Sequence, residues 1–203
     1  MNIQIIFYSM NGHIYQMAEA VAEGARSVDG ANVSLYQVPE LVPDEVLKSN
    51  GAGEARKAFD HIPIAEPDVL AEADATIFGT PTRYGNMAAQ MRNFLDQTGQ
   101  LWLENALVGN VGGVFTGTMS QHGGQETTIT SFHTTLLHLG YLIAGVPYTE
   151  QRLLETEELS GGSPYGASTL DYGDGSPHPS ENEFEIAKTQ GRYTAEVAKK
   201  LTS

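Results

Sequence analysis

The stretch IQIIFYSMNGHIYQMAEAVAEGAR, residues 3–26, changes periodicity in a single step. Ile3 to Tyr8 is a run of Ile and aromatic residues, the pattern of a strand buried on both faces. Ser9-Met10-Asn11-Gly12-His13 breaks that pattern, and Ile14, Met17, Ala18, Val21, Ala22 and Ala25 then follow the spacing of one helical face. Asp29-Gly30 ends the helix. A buried strand, a small-residue loop and an amphipathic helix in that order form the first part of a parallel β-α-β unit.

The same order repeats along the chain. Val33, Leu35 and Tyr36 to Val38 predict a second strand, which Pro39 stops. Ala75 to Gly79 predicts a third, followed by Thr80 to Asn86 and a helix marked by Met87, Met91, Phe94 and Leu95. Val111 to Thr116 predicts a fourth, then Gly117 to Gly124 and a helix over Gln125 to His138. Tyr141 to Val146 predicts a fifth. Ser180-Glu181-Asn182-Glu183 is a capping box opening the last helix, whose face is Phe184, Ala187, Gly191, Thr194, Ala198 and Leu201. Alternation of this kind implies right-handed crossovers and a doubly wound parallel sheet with helices on both faces. The 203 residues read as a single domain, with residues 39–66 and 147–180 as insertions.

Composition narrows the function. With 25 acidic and 11 basic residues the formal charge is -14, which repels phosphate backbones and anionic lipid, so neither nucleic acid nor a membrane is an expected partner. No apolar run approaches the ~20 residues of a membrane helix, and a chain without cysteine fits a reducing compartment, so a cytoplasmic location is expected. Cysteine-based metal centres and thiol nucleophiles are excluded. His133 and His138 lie five apart on a helix, off the spacing of a metal pair, and no metal is expected. Ser9, His13 and Asp96 lack the G-x-S-x-G elbow that a hydrolase of this class uses.

In open α/β sheets ligands bind beyond the carboxyl ends of the strands, which brings together loops 9–13, 80–86 and 116–124. All three are rich in Gly, Ser, Thr and Asn and offer amides and hydroxyls with little bulk. No Lys or Arg precedes Arg26, so a phosphate on the first loop would be held by amides and the helix dipole. Neither GxxxxGK[ST] nor GxGxxG occurs, which argues against a nucleoside-triphosphate loop and against a turn built for a pyrophosphate. Taken alone, the loop fits a phosphate cradle and a plain strand-to-helix turn equally well.

Longer motifs carry more. Ser9 to Ile14, Phe78 to Met87, Phe94 to Gly99 with Leu101-Trp102, Gly123 to Thr127 and Gly162 to Ala167 closely resemble the WrbA-type NAD(P)H:quinone oxidoreductases, in family order over nearly the whole chain. The resemblance implies a flavodoxin-like fold with strand order 2-1-3-4-5, bound FMN, NAD(P)H as reductant, two-electron reduction of quinones and a homotetramer. By position it places Ser9, Met10, Asn11, Gly12, His13 and Ile14 at the FMN phosphate and Pro81, Thr82, Arg83, Tyr84, Gly85 and Asn86 along the isoalloxazine. Thr116, Gly117, Thr118, Met119, Ser120 and Gln121 would close the other side, with His138 at the flavin and Trp102 facing the substrate. No residue is assigned as catalytic. An open face walled by Trp102 and edged by His138 and Tyr84 would serve both substrates in turn, which implies ping-pong kinetics. The chain departs from the family at Asn11, where many members carry a tyrosine that meets the nicotinamide, and in the third loop, usually Ser-Thr-Gly-Thr. A flavodoxin-like one-electron carrier, or an FMN reductase for other acceptors such as azo dyes or chromate, are the alternative readings.

Overall fold

The computed structural model describes residues 1–49, 51–171 and 179–202. Strand β1 (Asn2–Phe7) pairs in parallel with β2 (Asn32–Gln37) on one side and β3 (Ala75–Pro81) on the other. Beyond β3 come β4 (Val111–Thr118) and β5 (Leu142–Ile143), giving the parallel order β2-β1-β3-β4-β5 of the flavodoxin-like α/β fold, as expected. The helices are α1 (His13–Arg26), α2 (Asp44–Ser49), α3 (Ala52–Arg56), α4 (Ala89–Asp96), α5 (Gly99–Leu103), α6 (Gln125–His138) and α7 (Glu181–Thr202).

Alternation along the strands divides the core between the two faces of the sheet. Ile5, Phe7, Ile77 and Phe115 pack with Met17 and Val21 of α1 and Ile186 of α7. Ile6, Phe78 and Val114 pack with Met91 and Phe94 of α4 and Ile129 and Phe132 of α6. On the first face the two helices meet backbone to backbone: a Cβ on Gly24 would lie 1.9 Å from the Lys188 carbonyl oxygen, and one on Gly191 1.9 Å from that of Val21.

The capping box forms as read, with the Glu183 amide donating to Ser180 Oγ at 3.2 Å and the Ser180 amide to Glu183 Oε2 at 2.8 Å. Glu183 is buried and its carboxylate also accepts from the amides of Gly161 and Leu170 at 2.8 Å each. One side chain thus ties the start of α7 to the segment that returns to the sheet.

That segment is where the structure departs from the sequence reading. The edge strand expected over Tyr141 to Val146 ends at Ile143, and a sixth strand, β6 (Ser168–Leu170), pairs with the far half of β4 from Thr116 to Thr118. Past the end of β5, the Pro164 carbonyl occupies the space a side chain on Gly145 would need, 2.1 Å from an added Cβ. Residues 172–178 of the 147–180 insertion lie outside the described residues. The 39–66 segment carries α2 and α3 and returns along the outer edge of β2, where the Gln37 amide donates to the Pro63 carbonyl at 2.9 Å and the Ala65 amide to that of Gln37 at 2.8 Å. Among the described residues no helix is long and apolar enough to cross a membrane, and no group of three metal-ligating side chains occurs.

Replacing Gly191 with Ala adds about 1 kcal/mol of helix propensity. Backbone contact at that position is expected to outweigh it, leaving Gly191→Ala less stable by about 1–3 kcal/mol, as overpacked sites are. A urea midpoint at or above that of the wild type would show that α1 and α7 part without cost.

Candidate functional site

Strands β1, β3 and β4 deliver their loops to one end of the sheet, where they enclose a pocket of about 680 Å³. Its wall comes from Ser9, Met10, Asn11, His13 and Ile14, from Pro81, Thr82, Arg83 and Tyr84, and from Gly117, Thr118, Met119, Ser120 and Gly123, closed by Asp171 beyond β6. Gly12, Gly85, Asn86, Thr116 and Gln121, named from sequence for the same loops, shape them without lining the wall.

Each loop has a local reason for its course. Gly12 precedes α1 with φ 94, a left-handed conformation that glycine adopts without strain, and nothing lies within 4 Å of where its Cβ would be. Ser9 Oγ accepts the amides of Gly12 at 3.1 Å and Tyr15 at 3.3 Å. The amides of Met10, Asn11, His13 and Ile14 meet no acceptor among the described residues, as expected of a helix start whose N-cap residue, Gly12, has no side chain to offer. In the second loop Arg83 and Asn86 exchange backbone hydrogen bonds of 2.7 and 3.1 Å around Tyr84 at φ 54 and Gly85 at φ 78. Two left-handed central residues make a tight primed turn, and this one carries the Tyr84 ring fully into solvent at the pocket rim.

Hydroxyl groups of these loops bond within the protein. Thr116 Oγ1 donates to the Thr80 carbonyl at 2.7 Å, Thr118 Oγ1 donates to that of Ser120 at 2.8 Å, and Thr82 Oγ1 bonds Thr128 Oγ1. Arg83 bridges two loops, donating to the Thr82 carbonyl at 2.8 Å with its other nitrogen 3.9 Å from Met10 Sδ. His13 Nδ1 lies 3.3 Å from Asp171 Oδ2 across the pocket.

Behind the first loop runs a polar network with no counterpart in the sequence reading. Arg56 Nη1 donates to the Ser9 carbonyl and to Glu40 Oε2, each at 3.0 Å, and Gln90 Nε2 donates to Glu40 Oε1 at 2.7 Å and to the Tyr8 hydroxyl oxygen at 2.9 Å. Tyr8 in turn donates to the Glu40 carboxylate. Burial, and then the Glu40 charge, push the Tyr8 hydroxyl well above its ordinary value, so it stays protonated. Burial alone would raise Glu40 too, but the Val42 and Leu41 amides, Gln90 and Arg56 together hold its carboxyl below the ordinary carboxylate value.

The family model for NADPH-dependent FMN reductase matches residues 1–148. The chain belongs to that family. Relatives named NAD(P)H dehydrogenase (quinone) include one from Trichlorobacter lovleyi, 67% identical over 201 residues and covering 99% of this chain and 98% of its own. Another, from Methanosarcina mazei, is 60% identical over 203 residues, covering 98% of this chain and 97% of its own. Among solved structures, the chain is similar to a WrbA-like flavodoxin from Agrobacterium tumefaciens with a TM-score of 0.67 at 23% identity, covering 98% of each chain, a likeness of fold.

Two residues named from the resemblance are not in this pocket. Trp102 on α5 and His138 at the end of α6 line a separate cavity of about 400 Å³ with Arg92, Thr98 and Ser131, over α4 and α6. They therefore do not line the pocket that Tyr84 edges, because their helices cover one face of the sheet while the loops cluster at its carboxyl end. Asp171, Glu40, Arg56 and Gln90 were missed. Only Gln90 leaves a sequence signal, as a polar residue next to Met91 on the apolar face of α4. The others become neighbours by folding alone.

Because the folded state lowers the Glu40 value, its carboxylate stabilises the fold above the ordinary 4.5 and loses that contribution as pH falls through the lowered value. Glu40→Gln is expected to melt lower than wild type at neutral pH and to show a shallower loss of Tm on acidification. Parallel acid limbs in thermal melts of the two proteins would exclude this role.

Proposed function

We propose that the chain is an FMN-dependent NAD(P)H dehydrogenase (quinone), reducing quinones to hydroquinones by two electrons in the cytoplasm. The pocket at the ends of β1, β3 and β4, with free amides at its α1 end and an exposed aromatic on its rim, is the observation that carries this reading. The names of relatives at 56–67% identity supply the reaction.

Ser9 to Ile14 hold the FMN phosphate, presenting amides and the positive end of the α1 dipole. Pro81 to Asn86 border the isoalloxazine, and Arg83 sets a cation beside it. Thr116 to Gln121 close the opposite side. The donor set fits a single phosphate ester on a flat ring: amides at one end, a rim of small residues at the other. When bound, FMN supplies the redox chemistry, taking two electrons from NAD(P)H and passing them to the quinone. Nicotinamide and quinone use one open face in turn, with Tyr84 as the flat surface at its edge, so the kinetics are ping-pong.

Trp102 and His138 line a cavity apart from the pocket, so the contact with flavin that the resemblance assigns to them would come from a second copy of the chain. That requirement supports a homotetramer in which this face meets a neighbour's pocket. Trp102 is 56% exposed, with Val108 and Leu137 each 61% exposed, which supplies apolar surface for such a contact.

Flavin absorbance followed by stopped flow is expected to bleach with NADH or NADPH and to recover fully on adding benzoquinone, with parallel double-reciprocal plots in the steady state. Binding of FMN without reduction by either nicotinamide would overturn the enzyme reading. Light scattering is expected to give a tetramer of 21.9 kDa subunits, and Trp102→Ala to weaken quinone turnover. A monomer with full activity would remove the second copy from the site.

A further inference from the structure

We propose that Arg56 is a positioning residue for the cofactor's phosphate: from the 39–66 segment it clamps the Ser9 carbonyl and so orients the amides of the first loop. The inference rests on the FMN reading above and assigns a role to a residue outside the pocket wall. Arg56 sits with only 15% of its side chain exposed, and its guanidinium lies 5.3 Å from the Phe59 ring centroid. Phe59 packs on Tyr15 at 5.1 Å, in the first turn of α1, so the seat of the arginine is built partly from the helix it serves.

The geometry follows from the peptide group. A planar trans peptide holds C=O and the next N–H in opposite directions. With its carbonyl engaged by Arg56 Nη1 at 3.0 Å, the Ser9–Met10 peptide turns the Met10 amide away from the arginine, and that amide meets no acceptor among the described residues. Met10 itself lines the pocket. The guanidinium is fixed from behind by Glu40 Oε2 at 3.0 Å and Gln37 Oε1 at 3.3 Å, and Glu40 is in turn held by Gln90. Arg56 does not line the pocket, and Glu40 offsets its charge, so it acts through the loop backbone and not as a counter-ion to phosphate. An Arg fork reaches Ser9, Glu40 and Gln37 together, which a lysine ammonium on one stem does less well.

Riboflavin, which lacks the phosphate, separates this role from a general structural one. Dissociation constants for FMN and riboflavin are measured by flavin fluorescence on wild type, Arg56→Met and Arg56→Lys. The double variant Arg56→Met/Glu40→Gln removes both charges of the pair and keeps the test open if Arg56→Met alone fails to fold. Loss of a charge-assisted hydrogen bond is expected to weaken FMN about 10- to 100-fold, with riboflavin changed less than about twofold and Arg56→Lys intermediate. Equal weakening for both flavins, or unchanged FMN affinity in the variants, would overturn the proposal. A wild-type protein that binds no FMN would instead overturn the reading of the site, and this inference with it.

Discussion

The pocket stands on one row of the sheet. Phe7, Gly79 and Phe115 face one another across β1, β3 and β4. Gly79 has no side chain because the Phe115 ring fills that place, with Cζ 2.2 Å from where a Cβ would be. A slip of one residue in β3 would bring Phe78 under that ring and turn every neighbouring side chain to the opposite face. It would also move Thr80 to Asn86 out of level with the other two loops. The row fixes the register, and the register brings three remote loops to one place.

Two helix starts show the same physical need met in opposite ways. At α7 the chain supplies its own acceptors, Ser180 Oγ for the Glu183 amide and the Glu183 carboxylate for that of Ser180. At α1 Gly12 offers no side chain, and Ser9 Oγ takes the amides of Gly12 and Tyr15 only. Amides left without an internal partner at a helix start favour an anion. The hydroxyl-rich composition of the loops serves this indirectly, since Thr82, Thr116 and Thr118 bond within the protein and hold the backbone in place.

The network around Glu40 gives the 39–66 segment a task beyond covering the edge of β2. Tyr8, Glu40, Arg56 and Gln90 come from β1's exit, the insertion and α4, and each satisfies another's hydrogen-bonding capacity in a place poor in water. Leaving one such group unpaired costs about 1–3 kcal/mol. The set is therefore kept or lost together, and Ser9 is coupled to all of it through Arg56.

What the sequence determined by itself was local. The switch from strand to helix after Tyr8, the span of α6 and the capping box at Ser180 depend on residues within about one helical turn, and their periodicities are visible in any window that contains them. The three site loops were legible for the same reason, each following a strand that could be read alone. Tertiary structure alone decided the pairings between distant segments. It ended β5 at Ile143 and gave the remaining edge of β4 to Ser168–Leu170. It joined Arg56 to Ser9, 47 residues away, brought Asp171 to His13, and set Trp102 and His138 over α4 and α6, apart from the pocket. Such contacts are chosen by packing and by the satisfaction of buried polar groups, and those forces act between residues that no local pattern connects.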